Sequence, residues 1–235
     1  MSKLGSVFYL NGLTLIYGVR IFPKRVMRIV LHFIQWVPAI RKIHLRSKNL
    51  QEWISDFCFY FVDVLFVPEL FELSLVWFRP NTRLLSKKEK LYARKYLGES
   101  IDLGNTRICN RMYGRIQDLA IAFVTFNTIH YSEKISKPVY IHELVHIWQN
   151  QKFGSVYIYR ALKAQRSKEG YNYGGAENLY AKMLDSSVFT DFNFEQQGAI
   201  FEDYVTIVES DVEFNPIAEA SYSYFIGQLQ GAKAS

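Results

Sequence analysis

The chain has 235 residues, 49% of them apolar and 21% charged. That balance excludes a disordered polymer and suffices for one domain with its own core plus an appendage. Its two cysteines, Cys58 and Cys109, have neither the number nor the spacing of a disulfide framework or a cysteine metal site, and read as buried thiols of a reducing compartment.

The net charge of +6 is unevenly spread: residues 1–50 hold nine Lys or Arg and no acid, leaving 19 basic against 22 acidic residues elsewhere. A basic head on a mildly acidic body is expected to meet an anionic partner, membrane lipid or nucleic acid. Three apolar stretches follow in the head, residues 4–22, 26–40 and 53–78. None reads as a membrane-spanning helix. Asn11-Gly12 and Gly18 interrupt the first, the second is short, and the third carries Asp56, Asp63, Glu69 and Glu72 around Pro68. With Trp36, Trp53 and Trp77 near segment ends, they fit helices lying in a membrane interface, or an ordinary helical subdomain packed on the rest. Bulky apolar residues among the charges suit lipid better than nucleic acid, for which no motif is present. No signal-peptide pattern accompanies Lys3.

Arg79-Pro80-Asn81-Thr82 punctuates the chain and divides a mostly helical head, 1–79, from an α+β body, 80–235. Ser86 and Glu89 form a capping box for a helix to Leu97, stopped by Gly98. Residues 106–112 are a short strand, and 119–131, rich in β-branched and aromatic residues, form the best strand of the chain. Pro138 suits the first turn of a helix over 137–153, which Gly154 ends. A Gly-, Tyr- and Asn-rich loop with a short helix occupies 165–187. A further helix starts at Asn193, boxed by Gln196, and runs to about Ser210.

Residues 142–146 read His-Glu-Leu-Val-His. On a helix, residues four apart share a face, so His142 and His146 can grip one metal ion with Glu143 beside them as general base. Ile141, Leu144, Val145 and Trp148 form an apolar stripe on another face. Zinc suits two imidazoles plus one more protein ligand, with a position left open for a water whose acidity it raises. No histidine follows His146, so the third ligand is expected to be a carboxylate: Glu195, Glu202, Asp203 and Glu209 are on offer in the helix after Asn193. Glu195 lies in its first turn, and Glu202 or Asp203 could orient the imidazoles.

The segments Arg79–Arg83, VYIHELVHIWQNQKFG (139–154), YNY (171–173) and NFEQQGAIFEDY (193–204) resemble a bacterial family of small HExxH domains found near Vgr-type and contractile-injection-system genes and assigned as zincin-like metallopeptidases. The resemblance covers about residues 79–210. It implies a minimal zincin-like fold and a glutamate third ligand, Glu195 here. Ala199 stands where zincins with a Glu-x-x-x-Asp signature carry the Asp. In zincins an edge strand pairs with an extended polypeptide substrate; the strand 119–131 is the candidate, with Asn127 or His130 facing the cleft. Tyr171 and Tyr173 are the candidates for a transition-state donor, and Tyr173 is assigned to catalysis beside Glu143. The expected function is zinc-dependent hydrolysis of a peptide bond. The alternative is a non-catalytic zinc-fold adaptor of a secretion system or membrane surface. The expected location is the cytoplasm or the cytoplasmic membrane face, or outside the cell as an exported effector.

Overall fold

Capping residues and one small sheet organise the body, and a layer of three helices lies against it. The structure, a computed structural model, describes residues 3–37, 45–79, 81–111, 122–132, 134–210 and 215–231. Pro80, residues 38–40 of the second apolar stretch, Met112 and residues 119–121 of the expected strand lie outside them. The head forms α1 (Lys3–Phe33), α2 (Leu50–Val64) and α3 (Val67–Phe78). The body runs β1 (Arg83–Leu84), α4 (Lys87–Leu97), β2 (Arg107–Cys109), β3 (Ala122–Thr125), β4 (Thr128–Tyr131), α5 (Lys137–Phe153), α6 (Val156–Gln165), α7 (Gly175–Leu184), α8 (Phe194–Glu209) and α9 (Pro216–Gln230).

The sheet has the order β1-β2-β4-β3, with β2 and β4 parallel and the other two pairings antiparallel. Among the described residues β3 is an edge strand, and α5 packs on β3 and β4. The expected caps are present. Ser86 and Glu89 close a reciprocal box on α4, and Asn193 and Gln196 do so on α8. Ser136 accepts from the Val139 N–H ahead of Pro138 on α5.

Three expectations change. Residues 122–131 are a hairpin rather than one strand. Its turn holds Phe126 at φ 51°, a conformation that costs energy for a bulky residue and is fixed here from outside. The Phe126 N–H donates to the Tyr157 hydroxyl, which donates to the Val124 carbonyl, and the Asn127 N–H donates to Glu72. Secondly, α1 runs unbroken through Asn11-Gly12, Gly18 and Pro23. By length and composition alone it could cross a membrane. Thirdly, the histidine-bearing face of α5 is not open: every residue from Tyr140 to Asn150 is buried, with α8 packed along the helix.

Head and body meet through buried charge. All five acids of the head, Glu52, Asp56, Asp63, Glu69 and Glu72, are buried. Glu69 takes a bidentate pair from Arg25, at 2.8 and 2.6 Å, within the head. The others reach across. Glu72 lies 3.2 Å from Arg107 of β2 and accepts from Asn127 N–H and Thr128 Oγ1. Arg160 of α6 donates to Asp56 and Glu52, both at 3.0 Å. Asp63 accepts from the N–H and hydroxyl of Ser155. Arg28 donates to the carbonyls of Gln151 and Lys152 at the end of α5, where a cation also complements the helix dipole. Gly154 makes this joint possible, since it adopts φ 84° and a Cβ there would fall 2.2 Å from Asp63 and 2.7 Å from Arg28.

Removing one member of a buried pair strands the other charge. Arg107→Met is expected to cost about 3–5 kcal/mol in denaturant unfolding. Arg107→Met with Glu72→Gln should recover part of that loss. A single-variant cost near zero would show that the Arg107–Glu72 pair does not join the layers.

Candidate metal centre

Helices α5 and α8 bring the centre together. On α5, four-residue spacing puts His142 and His146 side by side, their ring centroids 5.0 Å apart. The first turn of α8, started by the Asn193 cap, delivers Glu195 between them. Glu195 Oε2 lies 3.5 Å from His142 Nε2 and 3.5 Å from His146 Nε2. One ligand atom from each of the three residues lies within 4.8 Å of the other two. The group is deeply buried, with Glu195 only 1% exposed and Glu143 6%.

Each ligand is oriented from behind. His146 Nδ1 faces Gln149 Oε1 at 2.7 Å. The Gln149 amide in turn donates to Phe194 O and Gln197 Oε1, tying α5 to the start of α8. His142 Nδ1 lies 2.9 Å from Glu202 Oε2. Gln165 of α6 donates to Glu195 Oε1 at 3.0 Å, which leaves Oε2 for the centre. Outer partners of this kind fix which ring nitrogen points inward.

The charges of the centre hold one another. Burial alone would lower the His142 pKa, but hydrogen bonds to Glu195 and Glu202 and the charge of Glu143 outweigh it and hold the pKa up at about 10. Burial likewise opposes a charged His146, and Glu195 more than offsets it, so that pKa is raised too. Burial would raise the Glu195 pKa, yet the two imidazoles hold it well below the usual carboxylate range. Burial raises the pKa of Glu143 against the pull of His146 and His142. Three carboxylates surround two imidazoles. The buried Oε2 of Glu143 finds no hydrogen-bond donor, a state that otherwise costs free energy, and Glu195 Oε2 has the two imidazoles 3.5 Å away. Two imidazole nitrogens and a carboxylate oxygen form a donor set that suits zinc.

His142, His146, Glu195 and Glu143 are thus brought together, and Glu202 joins them. Tyr173 is not. It is buried, with its hydroxyl bonded to Asp203 and Tyr222, so Asp203 supports a tyrosine rather than an imidazole. The tyrosine beside the centre is Tyr171, whose ring lies 5.9 Å from that of His142. Burial, then the charge and hydrogen bond of Glu195, push the Tyr171 pKa up. Glu209 is occupied by Lys137, Lys95 and Tyr96. His130 is buried against Phe123 with Nε2 on Thr125 Oγ1, and Asn127 is held by Glu72; neither joins the centre.

Gly198 was not anticipated. A Cβ there would fall 2.7 Å from the His142 ring, so α8 can press against α5 only with glycine at this place. The glycine three residues after the candidate ligand in FEQQG is the signal that could have flagged it.

No family model matches the chain and no solved structure matches it. The chain is 28% identical over 162 residues to the type VI secretion system spike protein VgrG2b of Pseudomonas aeruginosa. The match takes in 63% of this chain but only 15% of VgrG2b. The similarity agrees with the expected link to Vgr-type proteins and says nothing about a metal.

Gly→Ala inside a helix ordinarily stabilises it by up to about 1 kcal/mol. Gly198→Ala is expected instead to displace His142 and weaken metal affinity by about 10–100-fold, the range seen when supporting contacts of a ligand are lost. Metal titration beside circular dichroism checks this, with affinity falling while helix content holds.

Proposed function

We propose that this chain is a zinc-dependent hydrolase of peptide bonds, with a minimal zincin-like body over residues 80–235 that uses His142, His146 and Glu195 as metal ligands and Glu143 as general base. The observation that carries this reading is the convergence of two imidazole nitrogens and Glu195 Oε2 in one buried group, beside a Glu143 Oε2 that has no hydrogen-bond donor. A zinc ion held there supplies a Lewis acid to a substrate carbonyl and acidity to a water.

The protein's own groups do the rest. Glu143 takes the proton of the attacking water and passes it to the leaving amine. Gln149 and Glu202 hold the imidazoles in register. The Tyr171 phenol, half-exposed beside the centre with its pKa raised by partial desolvation and by Glu195, is a donor for the oxyanion that develops in the transition state. The edge strand β3, packed beside α5, offers main-chain groups to a polypeptide drawn out as a strand.

Similarity to the VgrG2b spike protein supports a secretion-system association, with the chain acting as a delivered effector or at the cytoplasmic membrane face. The basic head, residues 1–79, gives it an anionic membrane surface as a partner; nucleic acid is not proposed.

Elemental mass spectrometry should find about one zinc per chain, lost in His146→Ala and reduced in Glu195→Ala. Glu143→Gln should keep the zinc and lower cleavage of an unfolded polypeptide by about 10²-fold or more. Zinc bound by a wild-type protein that cleaves no such substrate would favour the adaptor reading. Zinc neither bound nor taken up would remove the metal reading altogether.

The two tyrosines separate in the same assay. Tyr171→Phe is expected to lower kcat with zinc retained. Tyr173→Phe should leave kcat near wild type and lower the unfolding midpoint, since its hydroxyl joins α8 to α9 through Asp203 and Tyr222.

A further inference from the structure

The three head helices bury their acids along with a few apolar residues, Leu10, Tyr17, Tyr60, Leu75 and Val76, and expose most of their large apolar side chains. In a water-soluble layer the apolar stripe of each helix faces the protein and the charges face solvent. Here α2 buries Glu52, Asp56 and Asp63 and exposes Leu50, Ile54 and Phe61. Helix α3 buries Glu69 and Glu72 and exposes Leu70, Trp77 and Phe78. Helix α1 buries Thr14, Arg25 and His32 and exposes Phe8, Leu15, Val19, Phe22, Val26 and Val30, a stripe at helical spacing along a rod of about 46 Å. Among the described side chains of α1–α3, only Arg20 and Lys24 are both charged and exposed. A face of this extent exceeds what a water-soluble monomer normally leaves open.

We infer that α1–α3 form a monotopic membrane layer, lying in the plane of a bilayer with this apolar face among the acyl chains. It deepens the membrane-surface reading of residues 1–79 and changes its physics, from attraction between charges to burial of apolar area. The acids that speak against membrane contact in the sequence do not oppose it in the fold, because every one faces the body or Arg25. The helix long enough to span is held to the body along its side: Arg107 donates to the Leu10 carbonyl, Arg20 pairs with Asp102 and Arg28 binds the end of α5. These contacts cover about 27 Å of helix. A spanning orientation would drag those polar groups into hydrocarbon, so α1 lies flat. Exposed cations accompany the layer ahead of α2: Arg46, stacked over Trp36, and Lys48. Cations beside in-plane helices pair with lipid phosphates.

Full-length protein, freed of detergent in the presence of vesicles, tests this by flotation. Binding to pure phosphatidylcholine vesicles that survives about 1 M salt, where surface charge is screened within about 3 Å, is expected. Val19→Glu/Val26→Glu/Val30→Glu should lower the bound fraction about tenfold or more with zinc content unchanged. Brominated phosphatidylcholine should quench Trp77 and Trp36 and spare the buried Trp148, with Trp77→Phe removing part of the quenching. Binding only to phosphatidylglycerol vesicles at low salt would overturn the hydrocarbon layer and leave the charged-surface reading standing. Absence of binding to either vesicle, with sedimentation as a dimer unaffected by lipid, would overturn both and assign the face to a second copy.

Discussion

Helix α5 is enclosed along almost its whole length, so each polar group it carries must be answered from another element. That constraint organises the molecule. His142 and His146 are answered by Glu195 and Glu202 of α8. Gln149 is answered by Phe194 O and Gln197. The carbonyls that end the helix are answered by Arg28 of the head. The start of α8, the turn that follows α5 and the head layer are therefore held in place by what α5 needs. The carboxylate oxygen of α5 that this accounting leaves without a donor is Glu143 Oε2, and it sits where the chemistry is proposed.

The polarity of the head obeys the same rule from the other side. Burying five carboxylates is costly unless each meets a cation or several donors. The body supplies these as Arg107, Arg160 and the Ser155 turn, and α1 supplies Arg25 and Arg28. Once the polar faces of α1–α3 are used in this way, their apolar faces can only point outward. The outward face is thus a by-product of how the layer is attached.

The sequence made the body's main elements legible where local chemistry sets them. Ser136-Lys137-Pro138 and Gly154 bound α5, and Asn193 with Gln196 starts α8, because caps act within four residues. The histidine spacing and the first-turn glutamate could be read for the same reason. Asn215-Pro216 is an equally good start signal for α9 that went unread. What could not be read depends on distant partners. Tyr171 and Tyr173 look alike in YNY until Asp203 and Tyr222 claim the second. The turn puts its positive φ on Phe126 rather than on the neighbouring Asn127, and relies on Tyr157 and Glu72 to hold it. The charges in α2 and α3 looked incompatible with lipid because their partners lie in other elements, up to about a hundred residues away in the chain.

The joint at Gly154 makes the last turn of α5 a possession of both layers. Arg28 and Asp63 grip it from the head, and His146 is two turns upstream on the same rigid rod. Whatever stiffens this turn therefore stiffens both the seat of the head and the rod that carries the histidines. Head and histidine pair share one mechanical anchor, and a side chain at position 154 would disturb the two together.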